Sequence, residues 1–291
     1  MNIIITIPAY NEEKTLPAVL TELKQVMNAT SYRYRILILD DGSKDRTAEV
    51  ARSYGALVVS HRHKGLAETF KVEMRECLKL NADVIVHTDA DGQYHPRHIP
   101  ELIEKIQQGY DLVLGSRFRG RIEQMPLMKR WGNIAFSHAI SSLTEVKITD
   151  STTGFRAFTA EVAREINYIN TFTYTQEQII KAAKQGFRII EIPIIARKTR
   201  ASRLFKSPLQ YAIKAWINIF RIYRDYDPLK FFGYVGGTLL GLGFLLGIAI
   251  LIRILITGGA GGVPRVILST LLMLVGIQVI IFGFLADMLK R

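Results

Sequence analysis

Two aspartates separated by one residue are the side chains of this sequence best suited to chemistry. Asp89 and Asp91 follow the apolar run Asp83-Val-Ile-Val-His87. Because successive side chains of an extended segment point to opposite faces, both carboxylates leave the end of such a strand on one side. Carboxylate oxygens suit Mg²⁺ or Mn²⁺, which keep coordination positions for phosphate oxygens and water. Taken alone, the tripeptide is equally compatible with a cap of the following helix.

The segments that must position this pair alternate apolar runs with amphipathic stretches. Strands are predicted at 2–7, 35–39, 56–60, 83–88 and 111–115, and helices at 12–27, 45–54, 65–80 and 96–108. A basic stretch that becomes helical follows at 119–143, then a helix near 176–185 and a strand at 188–196. This alternation predicts an α/β fold with a Rossmann-like, mostly parallel sheet between helices.

Polar clusters fall where four of the predicted strands end. They are Pro8-Ala-Tyr-Asn-Glu12, Asp40-Asp-Gly-Ser43, Asp89-Ala-Asp91 and Gly115-Ser-Arg117. Because open α/β sheets bind ligands beyond the carboxyl ends of their strands, this shared location predicts an active site. The guanidinium fork of Arg117 suits phosphate oxygens, and Asp40 and Asp41 suit hydrogen-bond donors of a base or ribose. A turn followed by a helix cap is the alternative for the two aspartates.

The charge of the chain indicates an anionic partner. Its 291 residues carry a formal charge of +12, which fits nucleic acid, a phospholipid surface or a phosphorylated substrate. The segment 181–230 is rich in Lys and Arg, and the runs 231–252 and 266–286 contain no charged residue. Each run reaches the ~20 apolar residues that cross a bilayer. A basic segment beside two such runs favours membrane lipids and argues against nucleic acid.

The two apolar runs predict a transmembrane hairpin and hence an integral membrane protein. The turn 257–264 has no charged residue, whereas the N-terminal part and the tail Lys290-Arg291 are basic. Both termini and the N-terminal domain are therefore expected in the cytoplasm. The glycines of the first run permit close helix packing, within the chain or in an oligomer, and the sequence leaves both open.

The segment 206–228 predicts an amphipathic helix, with Trp216 and Tyr223 on its apolar face. A core helix is the alternative. Its position directly before the first apolar run favours a helix at the membrane interface.

Histidines offer a rival metal site. His61 and His63 are one pair, and His95 and His98 lie near the two aspartates. Neither pair has a convincing third ligand for zinc. The single cysteine, Cys77, also excludes an internal disulfide framework.

The motifs at the strand ends resemble those of the family 2 GT-A glycosyltransferases. The resemblance extends to Asp40-Asp-Gly-Ser-Lys-Asp-Arg-Thr47, Asp89-Ala-Asp-Gly-Gln93 and Thr153-Gly-Phe-Arg156. More narrowly, the chain is similar to the dolichyl-phosphate mannose synthases and related polyprenyl-phosphate hexosyltransferases over about residues 1–205. The domains expected are a GT-A glycosyltransferase domain at 1–205, an interfacial helix at 206–228 and two transmembrane helices at 229–291.

This resemblance implies a metal-dependent, inverting transfer of a hexose from a nucleotide sugar to dolichyl or polyprenyl phosphate at the cytoplasmic membrane face. GDP-mannose is the favoured donor, and UDP-glucose or UDP-N-acetylglucosamine are alternatives. Because a lipid phosphate is an anion near neutral pH, it can attack the anomeric carbon without a general base. We therefore nominate no catalytic base, and positioning and charge neutralisation carry the rate.

The resemblance also implies roles for individual residues. Contacts with the nucleotide sugar are expected from Pro8, Tyr10, Glu12, Asp40, Asp41, Asp89 and Ala90. Mg²⁺ or Mn²⁺ would be held by Asp89, Asp91 and Gln93, and the catalytic residues would be Asp91 and Arg117. The acceptor phosphate would meet Arg117, Lys129, Arg130, Ser137, Arg197, Ser202 and Arg203.

The basic loop 197–204 departs from the family's pattern at one position. Arg200 stands where the family has glycine, which adds charge and changes the backbone freedom of the loop. Attraction to anionic lipid headgroups accounts for Arg200 as well as a catalytic role does.

Two other functions fit parts of the sequence. A processive polysaccharide synthase combines such a domain with membrane helices, but its usual Gln-x-x-Arg-Trp motif is absent from this sequence. A non-catalytic binder of nucleotide sugars would not need the acidic pair together with Arg117.

Overall fold

The computed structural model describes residues 1–166, 168, 174–198, 217, 220, 221, 224, 226–259 and 262–289. The chain divides into two compact units, Met1–Ala212 and Ile213–Arg291. Most of the predicted interfacial helix at 206–228 lies outside the described residues. The domain boundaries at 205 and 228 therefore stay a prediction.

The first unit is built on a seven-stranded sheet. Its strands are β1 (Ile3–Ala9), β2 (Tyr34–Asp40), β3 (Leu57–Ser60), β4 (Val84–His87), β5 (Leu112–Ile122), β6 (Arg156–Thr159) and β7 (Ile189–Ala196). They lie in the order β3-β2-β1-β4-β6-β5-β7, and β6 runs antiparallel to both of its neighbours. The α/β class and the mostly parallel sheet are confirmed.

Helices connect these strands. They are α1 (Leu16–Asn28), α2 (Thr47–Ser53), α3 (Leu66–Lys79), α4 (Ile99–Gln107), α5 (Leu127–Thr144), α6 (Ala160–Glu165) and α7 (Tyr174–Lys184), with a short 3₁₀ turn at Pro96–His98 before α4. All the predicted helices of this unit are present within a few residues of their expected ends.

The central strand β1 is buried along its whole length, with Ile3, Ile4 and Ile5 fully inaccessible to solvent. A strand covered on both faces reads as a continuous apolar run rather than an alternating one. Burial on both sides fixes the register of its neighbours, and Ala9 of β1 pairs with Asp40 of β2. This register brings the ends of β1 and β2 together.

Strand β5 is longer than predicted. The predicted strand ended at 115, whereas the structure continues it to Ile122, after a register shift against β7 between Ser116 and Arg121. Gly120 permits this pairing, because a Cβ there would lie 1.9 Å from the carbonyl oxygen of Ile194. The early part of the basic stretch at 119–143 is therefore strand.

The second unit contains two long apolar helices, α8 (Pro228–Thr257) and α9 (Val263–Met288). Their most apolar windows have mean hydropathies of 2.7 and 2.5, and each helix is long and apolar enough to cross a membrane. Gly236 and Gly276 lie where the two helices approach most closely, because a Cβ on either would meet the backbone of the other helix. The hydroxyl of Ser269 donates to the carbonyl of Gly243 at 2.8 Å. These glycines serve packing within the hairpin.

Candidate active site

The predicted strand-end clusters meet at one edge of the sheet. The backbone N–H of Asp41 donates to the carbonyl of Ala9 at 2.9 Å, and that of Thr88 to the carbonyl of Thr6 at 3.1 Å. These bonds extend the pairing of β1, β2 and β4 past the strand ends. Strand β5 runs in the same direction, since it is antiparallel to β6, which is antiparallel to β4. Arg117 lies within β5, directly after the regularly paired segment that ends at Ser116, and is therefore on the same side.

Asp89 lies directly above the backbone of Gly154. A Cβ at position 154 would be 3.1 Å from both carboxylate oxygens of Asp89, so a larger residue there would displace the carboxylate. The N–H of Gly154 donates to the hydroxyl of Tyr94 at 3.2 Å. The turn before β6 therefore packs against the carboxylate of Asp89.

The environment of Asp89 disfavours its negative charge. Burial raises the pKa of Asp89 to about 6, and although His87 lowers it, the nearby Asp91 raises it further. Asp91 is half-buried and accepts a hydrogen bond from the backbone N–H of Gln93 at 2.9 Å. Two neighbouring carboxylates repel each other, and a shared cation stabilises both of them.

Gln93 supplies a further polar group without a partner. Its side chain is 7% exposed, and its Nε2 atom is buried with no hydrogen-bond partner among the residues that the structure describes. Buried polar atoms in native proteins are nearly always satisfied, which indicates a ligand near this amide.

The donor set fits a hard divalent cation. Within the described part of the chain, no group of three or more His, Cys, Asp or Glu side chains could hold a metal. Two carboxylates and an amide leave most coordination positions to other oxygens, which suits Mg²⁺ or Mn²⁺. The candidate histidines have other contacts: His63 lies 2.9 Å from Asp41, His95 3.3 Å from Glu22, and His98 accepts from the N–H of Ile195 at 3.1 Å.

The raised pKa of Asp89 predicts a pH-dependent stability of the metal-free protein. Between pH 4 and 6 the unfolded carboxyl group loses its proton while the folded group, with a pKa of about 6, retains it. The protein therefore loses stability as the pH rises through this window. At a pH above 6, Asp89→Asn should increase the free energy of unfolding by on the order of 1–3 kcal/mol and thereby raise the melting temperature, and near pH 4 it should change neither. Thermal unfolding in EDTA measures this, and an equal shift at both pH values would contradict it.

Arg117 is buried and its fork faces a carboxylate of the protein. Its Nε donates to Asp150 at 2.7 Å and its Nη2 at 2.9 Å, and Nη2 also donates to the hydroxyl of Thr152 at 2.9 Å. The backbone N–H of Arg117 donates to the same carboxylate at 3.0 Å. The predicted use of the fork on phosphate stays a prediction, and the structure shows that Asp150 occupies two of its nitrogens.

The backbone at Asp150 is positioned by a second carboxylate. Glu191 of β7 accepts the backbone N–H groups of Thr149 and Asp150, each at 2.9 Å. Burial raises the pKa of Glu191, while its hydrogen bonds with Thr149 and Asp150 lower it. Asp150 and Glu191 are not among the predicted site residues, because neither belongs to a motif or a strand-end cluster.

Helix α5 brings one of the predicted acceptor residues to the aspartates. Burial lowers the pKa of Lys129, the charge of Arg117 lowers it further and the charge of Asp91 raises it, so both charges act on this ammonium group. Arg130 is exposed on the same helix. Ser137 is buried, and its hydroxyl donates to Ser151 Oγ at 3.2 Å and accepts the N–H of Ser151 at 2.9 Å. Among these residues, Lys129 is the one whose pKa responds to the charge of Asp91.

Arg197 connects β7 to the loop of the two aspartates. Its backbone N–H donates to the carbonyl of Gln93 at 2.9 Å, and its Nη2 pairs with Glu22 at 2.8 Å. Burial alone would raise the pKa of Glu22, but hydrogen bonds from Arg197 and His95 lower it. The other predicted residues of this loop, Arg200, Ser202 and Arg203, lie outside the described residues.

The residues predicted to bind the nucleotide contact one another's loops through ring stacking and hydrogen bonds. The ring of Tyr10 stacks on that of His63, with centroids 4.2 Å apart and an angle of 24° between the planes. The carboxylate of Asp40 accepts the N–H of Ser43 at 3.0 Å. Both oxygens of Asp41 accept backbone N–H groups of the loop 61–65, so this aspartate orders the loop whatever else it binds.

The remaining predicted contacts are buried beside these residues. Glu12 donates its backbone N–H to Thr47 at 2.8 Å and accepts the hydroxyl of Thr15 at 2.5 Å. Pro8 and Ala90 are buried at the ends of β1 and of the β4 segment. All the predicted nucleotide residues are thus near the sheet edge, and their roles stay predictions.

Residues 4–166 match the family model of glycosyl transferase family 2. The chain belongs to this family. A dolichyl-phosphate hexose transferase of Haloferax volcanii is 33% identical over 194 residues, which are 67% of this chain and 82% of the relative. An undecaprenyl-phosphate mannosyltransferase of Micrococcus luteus is 30% identical over 206 residues, 67% of this chain and 83% of the relative.

Solved structures support the fold of this family 2 member. The glucosyl-3-phosphoglycerate synthase from Mycobacterium tuberculosis, in complex with Mn²⁺ and uridine-diphosphate-glucose, has a TM-score of 0.58 and 19% identity. The match covers 76% of this chain and 78% of that chain. It is consistent with a GT-A-like α/β fold for the first unit.

Proposed function

We propose that this family 2 glycosyltransferase transfers a hexose from a nucleotide sugar to a polyprenyl or dolichyl phosphate. The observation that carries the proposal is that the half-buried ammonium group of Lys129 is within the electrostatic influence of Asp91 and Arg117 at this edge of the sheet. A carboxylate pair for the cation of a donor diphosphate and an ammonium group for an acceptor phosphate then share one site. The relatives from Haloferax volcanii and Micrococcus luteus, named for transfer to such lipids, support this acceptor.

The roles follow from charge. A divalent cation, Mg²⁺ or Mn²⁺, would be held by Asp89, Asp91 and Gln93, and when bound it neutralises the departing diphosphate. Lys129 and Arg117 hold the acceptor phosphate, an anion that needs no general base, near the anomeric carbon. Tyr10, Asp40 and Glu12 hold the nucleoside at the ends of β1 and β2. Mannose from GDP-mannose is our first choice of donor, which the mannosyltransferase relative supports.

A lipid acceptor also accounts for an exposed apolar stripe on α5. Leu127 is 73% exposed, Trp131 70% and Ile134 41%, and their spacing puts them on one side of the helix. Large apolar side chains at such exposure, on the helix that carries Lys129, indicate contact with lipid. With α8 and α9, they support an integral membrane protein whose first unit lies in the cytoplasm.

A donor panel tests the proposed reaction. Purified full-length protein in detergent is incubated with radiolabelled GDP-mannose, UDP-glucose or UDP-N-acetylglucosamine, Mn²⁺ or Mg²⁺, and dolichyl phosphate. We expect labelled lipid from GDP-mannose and none when dolichol without phosphate replaces the acceptor. Labelled lipid formed from a UDP-sugar would identify that nucleotide sugar as the donor in place of GDP-mannose. The absence of labelled lipid with every donor would reject the function.

The stripe on α5 gives a more specific prediction. Trp131→Glu should raise the KM for dolichyl phosphate about tenfold, because a carboxylate does not enter an apolar layer, and leave the KM for the donor unchanged. The matched control is Leu57→Glu, which changes another exposed apolar residue, on the edge strand β3. Steady-state kinetics measure both constants. An unchanged KM for dolichyl phosphate in Trp131→Glu would show that the stripe does not bind the lipid acceptor.

A further inference from the structure

A cavity lies along α3, apart from the predicted site residues. Its volume is about 710 Å³, within the range of small-molecule sites. One side of α3, the helix α6 and Tyr168 line it. Val72, Leu78 and Ile166 contribute apolar surface, and the walls include none of the residues predicted to bind the nucleotide sugar, Mg²⁺ or Mn²⁺, or the acceptor phosphate.

The charges that line this cavity are mostly uncompensated. Its walls include Lys64, Lys71, Arg75 and Arg164, against the single acidic residue Glu68. Glu68 pairs with Lys71 at 2.7 Å. Among the residues that the structure describes, the side chains of Lys64, Arg75 and Arg164 form no hydrogen bond or ion pair. Three unpaired cations around one concave volume raise the local concentration of anions.

A histidine at the cavity has an unused ring nitrogen. The Nδ1 atom of His61 lies 2.9 Å from the carbonyl oxygen of Arg62 and 3.5 Å from a carboxylate oxygen of Asp41. Its Nε2 atom is buried without a partner in the described part of the chain. In the protonated ring this nitrogen is a donor, and an anion in the cavity would satisfy it.

The loop that carries two of these groups is fixed in advance. The backbone N–H groups of Lys64 and Gly65 donate to the carboxylate of Asp41 at 2.8 and 3.0 Å. The backbone that carries His61 and Lys64 is therefore ordered without a ligand, which reduces the backbone entropy lost on binding. Arg75 and Arg164 are exposed on α3 and α6 beside this loop.

We propose that this cavity binds a phosphorylated ligand, as a second anion site of the protein. Arg75 and Arg164 supply two guanidinium forks, whose geometry matches phosphate oxygens, and Lys64 adds a third positive charge. The ligand is either a soluble phosphorylated molecule or the phosphate of a lipid headgroup. Both present the same phosphate oxygens to the same cations.

Binding of inorganic pyrophosphate tests the proposal. Isothermal titration of the full-length protein is carried out in EDTA, which removes the metal-dependent contribution of the Asp89–Asp91 site. We expect the double variant Arg75→Ala with Arg164→Ala to bind pyrophosphate at least about tenfold more weakly than the wild type. The matched control is Arg33→Ala with Arg52→Ala, which removes two exposed arginines elsewhere and should change nothing. Equal affinity in all three proteins would overturn the second site.

Two further measurements complete the test. Neither arginine belongs to the proposed catalytic machinery, so the double variant should keep its melting temperature and its transfer rate. Nanodiscs of phosphatidylcholine with and without phosphatidylglycerol then distinguish the two sources of phosphate. A headgroup ligand would weaken pyrophosphate binding only in the anionic discs, and a soluble ligand would leave it equal in both.

Discussion

Asp91→Ala should reduce sugar transfer by a factor of about 1,000 or more. The carboxylate lies beside Asp89 at the edge of the sheet, and its proposed role is to hold the cation that neutralises the departing diphosphate. Loss of one such electrostatic contact costs several kcal/mol of transition-state stabilisation. Asp91 is half-buried, and its one described side-chain hydrogen bond is to the N–H of Gln93, so the fold should survive the change.

The measurement is the initial rate of transfer to dolichyl phosphate at saturating donor, with a titration of Mn²⁺. Asp91→Asn keeps the shape and the hydrogen bond while removing the charge, and should be nearly as inactive as the alanine variant. Glu104→Ala, which removes an exposed carboxylate from α4, is the matched control and should retain full activity. Near-normal turnover in Asp91→Ala would reject the metal assignment.

Asp150→Asn should damage both stability and activity. Asp150 is fully buried and accepts two side-chain hydrogen bonds and one backbone hydrogen bond from Arg117. Removing one charge of a buried pair leaves the other uncompensated, which typically costs about 3–5 kcal/mol. The freed guanidinium should also lose its orientation, and we expect transfer to fall about 100-fold.

A double variant separates the two effects. Replacing the pair by apolar residues, Arg117→Met with Asp150→Leu, removes both charges and should recover most of the melting temperature. It should not recover transfer, because the proposed phosphate contact is gone. The cycle compares four proteins: the wild type, Arg117→Met, Asp150→Leu and the double variant. Thermal unfolding and the initial rate of transfer are measured for each. Recovery of activity in the double variant would show that Arg117 is structural.

Much of the fold could be predicted because the pattern is local. The continuous run of isoleucines at 3–5 identifies a strand buried on both sides, and the alternation of such strands with helices leaves few topologies. The clusters at 8–12, 40–43 and 89–91 follow from the same fact, since parallel strands end at one edge. The antiparallel direction of β6 could not be predicted, because four residues carry no signal of their orientation.

The site was predictable where its residues belong to strand ends and motifs. Asp89, Asp91, Gln93 and Arg117 lie within a few residues of a predicted strand, so their meeting follows from the sheet. The contact of Asp150 with Glu191 could not be predicted in this way: Asp150 lies in a loop, Glu191 lies in the middle of a predicted strand, and their meeting depends on the packing of the loop at 149–152 against β7. From the sequence alone, a single carboxylate in a loop such as Asp150 is predicted to be a helix cap or a surface charge.

The α/β class, the sheet edge with the candidate site and the two apolar helices could all be predicted from the sequence, because each depends on the periodicity of nearby residues. Three contacts or influences became apparent in three dimensions: the ion pair of Arg117 with Asp150, the effect of the Asp91 charge on Lys129, and the packing of the Asp89 carboxylate against Gly154. These contacts join residues more than ten positions apart, and in a low-dielectric interior the distance between charges, which no local pattern encodes, sets their energy.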